Sequence, residues 1–570
     1  MKEWSARLPY KVFYITILFI GLSLLFIYPF AKTNTIFFSD DMYYHLQRIT
    51  ELVKNYQTGN YFVGIYTNTF GKIGYPLNLF YPWITLLPFV ILCETIKDQV
   101  WAIYLGIAFY TFLTLCFTYV TTKKFGKDRT QAVFTAIIYT FCSYRTVNIF
   151  TRFALGEFLA LTFLPLCVYG MYAVIKGNYK EWPFLAFGMS FVLLSHILSA
   201  FLYSFFLLIL LILAIVNSTI QEKRARVINM IKAIIVAVLS SAIFLFPFLE
   251  QELHQKFSQP SKVDMVTQAL IPTQFLNASL NNDITRVETG NSYNIGIILL
   301  IILIIGAFQF RKWRKEYRLL YCLSLCLLIF TTSLVPWFII QKSPISLIQF
   351  PWRLLGIVSY LLSIVGGYEI KNLISNKKRI LKVVIIILIL MPWVASTNLL
   401  KRDMVDKNNI HYNYIVYKEN KFFYSKYAKS RIIPLYYLDQ YSPKGSKKSL
   451  DFIIRHNSLV NGKVVKPKIK YSSNTIEYSS PKFVNHSNIV LPNYDYKNIE
   501  VLNDRNRKVK TKRLNDNRLE VVEKVGSPLL RLKYKVSTFN AFAVLISVLT
   551  WFAGTVAFFL KKLSIKGSLK

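Results

Sequence analysis

The chain has 570 residues, 54% of them hydrophobic and 16% aromatic, with a mean hydropathy of +0.38. A mean hydropathy this positive with so many aromatics points to a polytopic membrane protein rather than several soluble domains, so most of the chain belongs in a membrane and a purely soluble enzyme is excluded. Its 68 Lys and Arg against 29 Asp and Glu leave a formal net charge of +39, only part of which is the positive bias of cytoplasmic loops.

The first apolar run, Val12 to Phe30, is too long for a signal-peptide core and is expected to be a retained span. Further apolar runs cover 101–122, 131–150, 157–175, 182–198, 200–217, 229–249, 294–310, 318–335, 353–370, 380–398 and 538–560. They predict about twelve membrane helices with both termini in the cytoplasm. The basic clusters between them (Lys2/Arg7/Lys11, Lys123/Lys124/Lys127/Arg129, Lys176/Lys180, Lys223/Arg224/Arg226, Arg311/Lys312/Arg314/Lys315, Lys377/Lys378/Arg379 and Lys561/Lys562) then all face inward. The run from Tyr81 to Ile96 breaks that alternation if it spans, and Pro82, Pro88, Tyr81 and Trp83 suit a re-entrant or interfacial segment instead. All six cysteines lie in apolar runs, which leaves no disulfide framework and no zinc spacing.

In this topology the loop Phe37 to Arg48 is exterior and carries the adjacent acids Asp40 and Asp41. A helix starting near Ser39 lines Asp41, His45 and Arg48 along one face. The alternative is a helix cap, with Ser39 or Asp40 capping and the acids answering the helix dipole. Also exterior are Arg152 to Glu157, the turn at His196, residues 250–293 and residues 336–352. Neither a Walker A motif nor a dinucleotide glycine fingerprint occurs, so a group transferred on that face has to arrive on a lipid carrier. From 399 to 537 short alternating runs such as Lys468 to Tyr471 and Leu530 to Val536 are separated by Asn, Asp, Gly and Pro. They predict an exterior β-sandwich, rich in Lys and Arg, before a final helix and basic tail at 538–570. Its expected partners are anionic: lipid head groups or a phosphate-bearing cell-wall polymer. No nucleic-acid partner is expected.

The acidic pair, Gly74 to Pro82, Arg152 to Glu157 and the string Gln349-Phe350-Pro351-Trp352-Arg353 resemble the bacterial membrane family called 6-pyruvoyl-tetrahydropterin-synthase-related and its YfhO-type kin. Both look like distant members of the GT-C glycosyltransferases, integral enzymes that use a polyprenyl-phosphate sugar on the outer face. The resemblance implies a GT-C-like transmembrane domain at 1–398 with its catalytic loop at 31–100. It places the general base, or a metal ligand, at Asp40 or Asp41. A carboxylate partly desolvated at a membrane edge can take the proton of an attacking hydroxyl. If a divalent cation such as Mg or Mn takes part, those same two acids are its candidates, a thin ligand set. Arg353 fits a donor phosphate with Trp352 at head-group depth, the alternative being an interfacial anchor.

His45, Arg48, Tyr75, Arg152, Glu157 and His196 complete the candidate substrate-binding set. Against them stand ordinary roles: Arg152 and Glu157 pairing with each other, and a hydrogen-bonded structural histidine at 196. Glu250, Glu252 and His254 form a candidate acceptor-side wall. The expected function is sugar transfer to an exterior acceptor at the plasma membrane, with teichoic or lipoteichoic acid of a Gram-positive envelope the acceptor that charge and resemblance favour. Rival readings are a flippase for a lipid-linked saccharide, which would call for internal repeats and a mid-membrane charged path, and a non-catalytic envelope scaffold.

Overall fold

The structure, a computed structural model, describes every residue except 1, 218–219, 259–262, 286–292, 375–378, 427, 429–437, 439, 486–487 and 568–570. The basic cluster at Lys377 and Lys378 lies outside the described residues. The chain divides into two compact units. One comprises residues 1–43, 92–233 and 262–429; the other comprises 44–91, 234–261 and 430–570. The region 399–537 is therefore shared out, its first part belonging to the first unit and the rest to the second. So is the loop region 31–100.

The first unit is helical. Asp98 caps the helix Gln99–Gly126 by accepting from the Val100 and Trp101 N–H groups, and Asp128 caps Arg129–Thr140 through the Gln131 N–H at 2.8 Å. Between them Lys127 takes φ +55, the left-handed turn that lets the second helix fold back beside the first. Helix approach is set by small residues: a Cβ on Gly367 would lie 2.1 Å from Thr135 Oγ1, and one on Gly170 2.2 Å from the Leu185 nitrogen. Close backbone contact of this kind supplies the packing energy that lipid, itself apolar, does not. Trp393, 2% exposed, stacks on Phe26 and donates to Thr146 Oγ1 at 3.0 Å. It ties the helix Arg379–Val405 to the helices Lys2–Ala31 and Ser143–Thr146.

Among the described residues seven helices are long and apolar enough to cross a membrane, or eight if the bent pair Lys223–Ser240 and Ala242–His254 counts as one span. The expectation of about twelve came from apolar runs, several of which are shorter helices. The run 131–150 is Arg129–Thr140, Ser143–Thr146 and a π-helical turn at Val147–Thr151. The runs 294–310 and 318–335 hold Gly296–Gln309 and Lys315–Ile329, of 14 and 15 residues. The segment expected to be re-entrant or interfacial forms the short apolar helix Ile84–Thr95.

The second unit contains two antiparallel sheets. One has five strands in the order β4-β3-β7-β10-β9 (Lys463–Val465, Ser458–Val460, Ile489–Tyr494, Arg518–Val521, Thr511–Arg513). The other has four, β5-β6-β11-β8 (Lys468–Ser472, Thr475–Ser479, Leu529–Tyr534, Ile499–Leu502). Tyr478 of β6 donates to Asn493 of β7 at 2.6 Å, so the two sheets share a core. β7 is buried along its whole length, and β11 alternates with Leu530, Leu532 and Tyr534 inward. Strands thus stand where the alternating runs predicted them, and the helix Thr538–Gly567 follows. The loop 62–75 is built onto this sandwich: Asn474 accepts from the Gly64 and Ile65 N–H groups, and Asn493 donates to the Ile73 carbonyl at 2.9 Å.

Candidate active site

Three backbone tethers fix the acidic loop of the first unit. Ile36 pairs with Tyr417 of the hairpin formed by β1 (Ile415–Lys418) and β2 (Lys421–Tyr424), Phe38 N–H donates to the Tyr412 carbonyl, and Asp41 N–H donates to the Arg152 carbonyl at 2.9 Å. The next helix begins at Met42, so Asp41 precedes it. Asp40 and Asp41 both keep part of their surface accessible.

The segment after Thr140 supplies the facing groups. The single helical turn Ser143–Thr146 widens into the π-helical turn Val147–Thr151, a device common at functional sites. Tyr144, Asn148 and Arg152, four residues apart, converge on Glu157 in the first turn of Leu155–Ile175, where a carboxylate complements the helix dipole. Glu157 is 5% exposed. It accepts from the Tyr144 hydroxyl, from Asn148 Nδ2 at 3.4 Å and from Arg152 Nη1 at 3.2 Å. Arg152 also donates to Asn148 Oδ1, and its Nε faces Asp40 Oδ2 at 3.8 Å.

The second cation comes from a strained turn. Gln349 adopts φ +65 and ψ −49, and the Phe350 N–H reaches the Ile348 carbonyl at 2.8 Å, which together make a γ-turn of the rare hand. Such strain persists only where its surroundings enforce it. Here the turn aims two acceptors at one guanidinium: Ile348 O and Gln349 Oε1 each accept from Arg353 Nη1 at 2.9 Å. Arg353 Nε then lies 3.6 Å from Glu157 Oε2. Trp352, 2% exposed, stacks between Tyr293 and Phe350 at centroid distances of 3.8 and 4.7 Å. The Arg152 guanidinium lies over its ring at 4.5 Å.

Three donors here lack hydrogen-bond partners among the described residues: Arg152 Nε, Arg353 Nε and Trp352 Nε1, all buried. The 3.8 and 3.6 Å separations from Asp40 and Glu157 are ion-pair distances, too long for hydrogen bonds. Buried donors left open in a native fold call for an explanation, and an anionic ligand is one. Asp41 lies among the same charges. Burial raises its carboxyl from the ordinary 3.8 to about 6, with Asp40 and Glu157 adding to the rise and Arg152 and Arg353 opposing it. A carboxylate of that basicity beside open cationic donors can accept a proton while an anion is held.

The sequence-derived candidates therefore separate. Asp40, Asp41, Arg152, Glu157, Trp352 and Arg353 come together in the first unit. His196, 8% exposed, is close enough to bear electrostatically on Glu157, and its Nδ1 meets Ser199 Oγ at 2.8 Å. His45, Arg48 and Tyr75 belong to the second unit. There Arg48 donates to the Pro82 carbonyl at 2.5 Å, lies over the Tyr81 ring at 4.1 Å and approaches His45 Nδ1 at 3.4 Å. The Tyr75 hydroxyl donates to the Gln440 carbonyl at 2.7 Å. Glu250 and His254 engage Asn498 and Asp495 of the same unit, at 2.6 and 3.4 Å. Sequence reasoning missed Tyr144, Asn148, Tyr293 and the anchoring part of Gln349. The first two carried a signal, polar side chains at a four-residue spacing that runs on to Arg152. Among the described residues no group of three or more His, Cys, Asp or Glu side chains is placed to hold a metal ion. A cation at Asp40 or Asp41 would draw its other ligands from water and substrate.

The model of the family described as bacterial membrane protein YfhO matches residues 11–418. An uncharacterized protein of Lactococcus lactis subsp. cremoris (strain MG1363) is 23% identical over 366 residues, 57% of this chain. The chain spans about half, 54%, of that relative's length.

Proposed function

The chain belongs to the bacterial membrane protein YfhO family, and on that footing we propose that it is a glycosyltransferase of GT-C type. Its donor is a polyprenyl-phosphate sugar and its acceptor a hydroxyl of an exterior cell-envelope polymer. The observation that carries this reading is the set of three buried donors on Arg152, Arg353 and Trp352 that lack hydrogen-bond partners among the described residues, beside the raised carboxyl of Asp41. The donors suit phosphate oxygens, and the carboxylate suits an incoming hydroxyl.

In the transfer step the acceptor oxygen attacks the anomeric carbon and its proton passes to Asp41. The bond from the anomeric carbon to the phosphate oxygen breaks, and the polyprenyl phosphate leaves with the electron pair. Arg152 and Arg353 stabilise the charge that grows on that phosphate, in surroundings of low dielectric where the effect is largest. Glu157 holds both guanidiniums in place, and Asp40 shares Arg152 with it. Where a divalent cation takes part, Asp40 is the acid with room for it. The orientation that puts Asp41 outside follows from the basic clusters, and the acceptor that best fits a Lys- and Arg-rich sandwich is an anionic one such as teichoic or lipoteichoic acid.

The test is mass spectrometry of envelope polymers from a strain lacking the chain, complemented with wild type or with Asp41→Asn. The expected result is a hexose or N-acetylhexosamine missing from one polymer in the deletion strain, restored by wild type and not by Asp41→Asn. Unchanged polymers in the deletion strain, or full restoration by the Asp40→Asn/Asp41→Asn double variant, would remove the transferase reading.

A further inference from the structure

The first unit holds a partly open cavity of about 560 Å³ between the helices Gln99–Gly126, Leu155–Ile175, Ile197–Asn217, Lys315–Ile329 and Leu355–Ile374. None of its lining residues belongs to the site at Asp41. Glu157 opens the helix Leu155–Ile175, and the cavity is lined by Val168 to Ile175 toward its other end, about 17 to 27 Å along the axis at the ordinary helical rise. The far end of that range is close to the thickness of a bilayer's hydrocarbon core. The rim belongs to the end of the unit that carries Lys123, Lys124, Lys176 and Arg311 to Lys315.

The walls are apolar, with Val168, Leu213, Leu320, Leu323 and Ile364 among them, and the rim is cationic. Lys176 is already paired, its Nζ 2.9 Å from Glu316 Oε1. Lys315 and Arg318 have no carboxylate partner among the described residues, and Lys315 begins a 15-residue helix whose first N–H groups favour an anion. Thr121 and Thr122 lie on the wall as well, both 1% exposed. A long apolar body with one negative charge at the mouth would satisfy both the apolar walls and the unpaired cations of the rim.

We propose that this cavity is a binding site for an anionic phospholipid of the leaflet next to the basic clusters. One acyl chain fills the space between the helices, and the head-group phosphate rests on Lys315 and Arg318. The volume falls within the roughly 300–1,000 Å³ of ligand-holding cavities. Charge complementarity at the rim selects an anionic head group over a zwitterionic one.

The experiment is native mass spectrometry of the delipidated full-length chain, offered phosphatidylglycerol and phosphatidylcholine of identical acyl chains. Wild type should retain phosphatidylglycerol on the order of tenfold better, the scale expected of two cations near a head group. Lys315→Gln/Arg318→Gln should abolish that preference, whereas Arg318→Lys, which keeps the charge, should preserve it. Leu323→Trp, which fills the cavity, should lower retention of both lipids. Equal retention of the two lipids by wild type, or an unchanged preference in the double variant, would overturn the site. Undiminished binding to Leu323→Trp would move the lipid to the outer surface and overturn the cavity's part in it. If the double variant does not fold, Lys315→Gln alone decides, because Lys315 is exposed and its loss should still cut the preference severalfold. Sugar transfer by these variants should match wild type, so a negative lipid result and a negative transferase result remain distinct.

Discussion

The Glu157 carboxylate lies 3.2 Å from the Arg152 guanidinium, and both side chains are more than nine-tenths buried. Arg353 approaches the same carboxylate at 3.6 Å, so one acid holds two cations. Removing one member of a buried ion pair leaves an uncompensated charge, which costs about 3–5 kcal/mol. Glu157→Gln should therefore lower the thermal unfolding temperature of the purified protein markedly. Glu157→Gln/Arg152→Gln should recover part of that loss, since the second change removes a stranded cation. A double variant as unstable as the sum of the singles would mean that the pair is not coupled.

Gln349 offers a cleaner separation of backbone from side chain. Its φ of +65 costs a residue with a Cβ about 1–3 kcal/mol that glycine does not incur. Gln349→Ala and Gln349→Gly both remove the acceptor for Arg353 Nη1, yet only glycine relieves the turn. Gln349→Gly should unfold at the higher temperature of the two, by an amount equivalent to about 1 kcal/mol or more. Both should weaken donor use, because Arg353 loses one of two anchors. Equal stability of the two variants would show that the turn is not strained.

These two relationships also show what the sequence could convey. Ionisable residues at the ends of apolar runs on one side of the expected topology made Asp40, Asp41, Arg152, Glu157 and Arg353 stand out as candidates, and they meet at one place. The grouping of Asp41 with His45 and Arg48 depended on a helix starting near Ser39. The helix starts at Met42, and Arg48 Nη2 donates to the carbonyls of Tyr81 and Pro82. Tyr75 was illegible for a related reason: its partner, the Gln440 carbonyl, lies 365 residues away in sequence. The count of spans was read from apolar composition, which is blind to a break such as the one at Phe141 and Cys142, where no Gly or Pro marks the end of a helix. The sandwich strands were legible because alternation of period two survives in a solvated domain.

Arg353 should separate charge from geometry. Arg353→Lys keeps the cation but has no guanidinium Nε and only one nitrogen to share among Ile348 O, Gln349 Oε1 and a ligand. Apparent donor affinity should fall in the order wild type, Arg353→Lys, Arg353→Ala, with a loss of about tenfold or more for alanine, in keeping with one charge-assisted hydrogen bond. Wild-type affinity in both variants would reduce Arg353 to a membrane anchor.

The pH dependence of Asp41 has a definite sign. Burial lifts its carboxyl from the ordinary 3.8 to about 6, so it is protonated in the fold at pH 5 and ionised at pH 8. A general base works only when ionised. The transfer rate should therefore climb about tenfold per unit below pH 6, bend near pH 6 and level off above pH 7. Stability runs the other way. A raised carboxyl value means that the fold favours the neutral form, so its contribution is complete below about pH 3.8 and is lost as pH rises through about 6. Asp41→Asn, neutral at every pH, should be more stable than wild type at pH 8 and no more stable at pH 4. It should also lose at least about a hundredfold in rate at pH 8 while still binding donor. Thermal unfolding at the two pH values, read beside the rate profile of the purified protein, checks both. A profile flat from pH 5 to pH 8, with Asp41→Asn near wild-type turnover, would leave the acidic pair as a helix-entry feature and pass the role of base to Glu157 or His196.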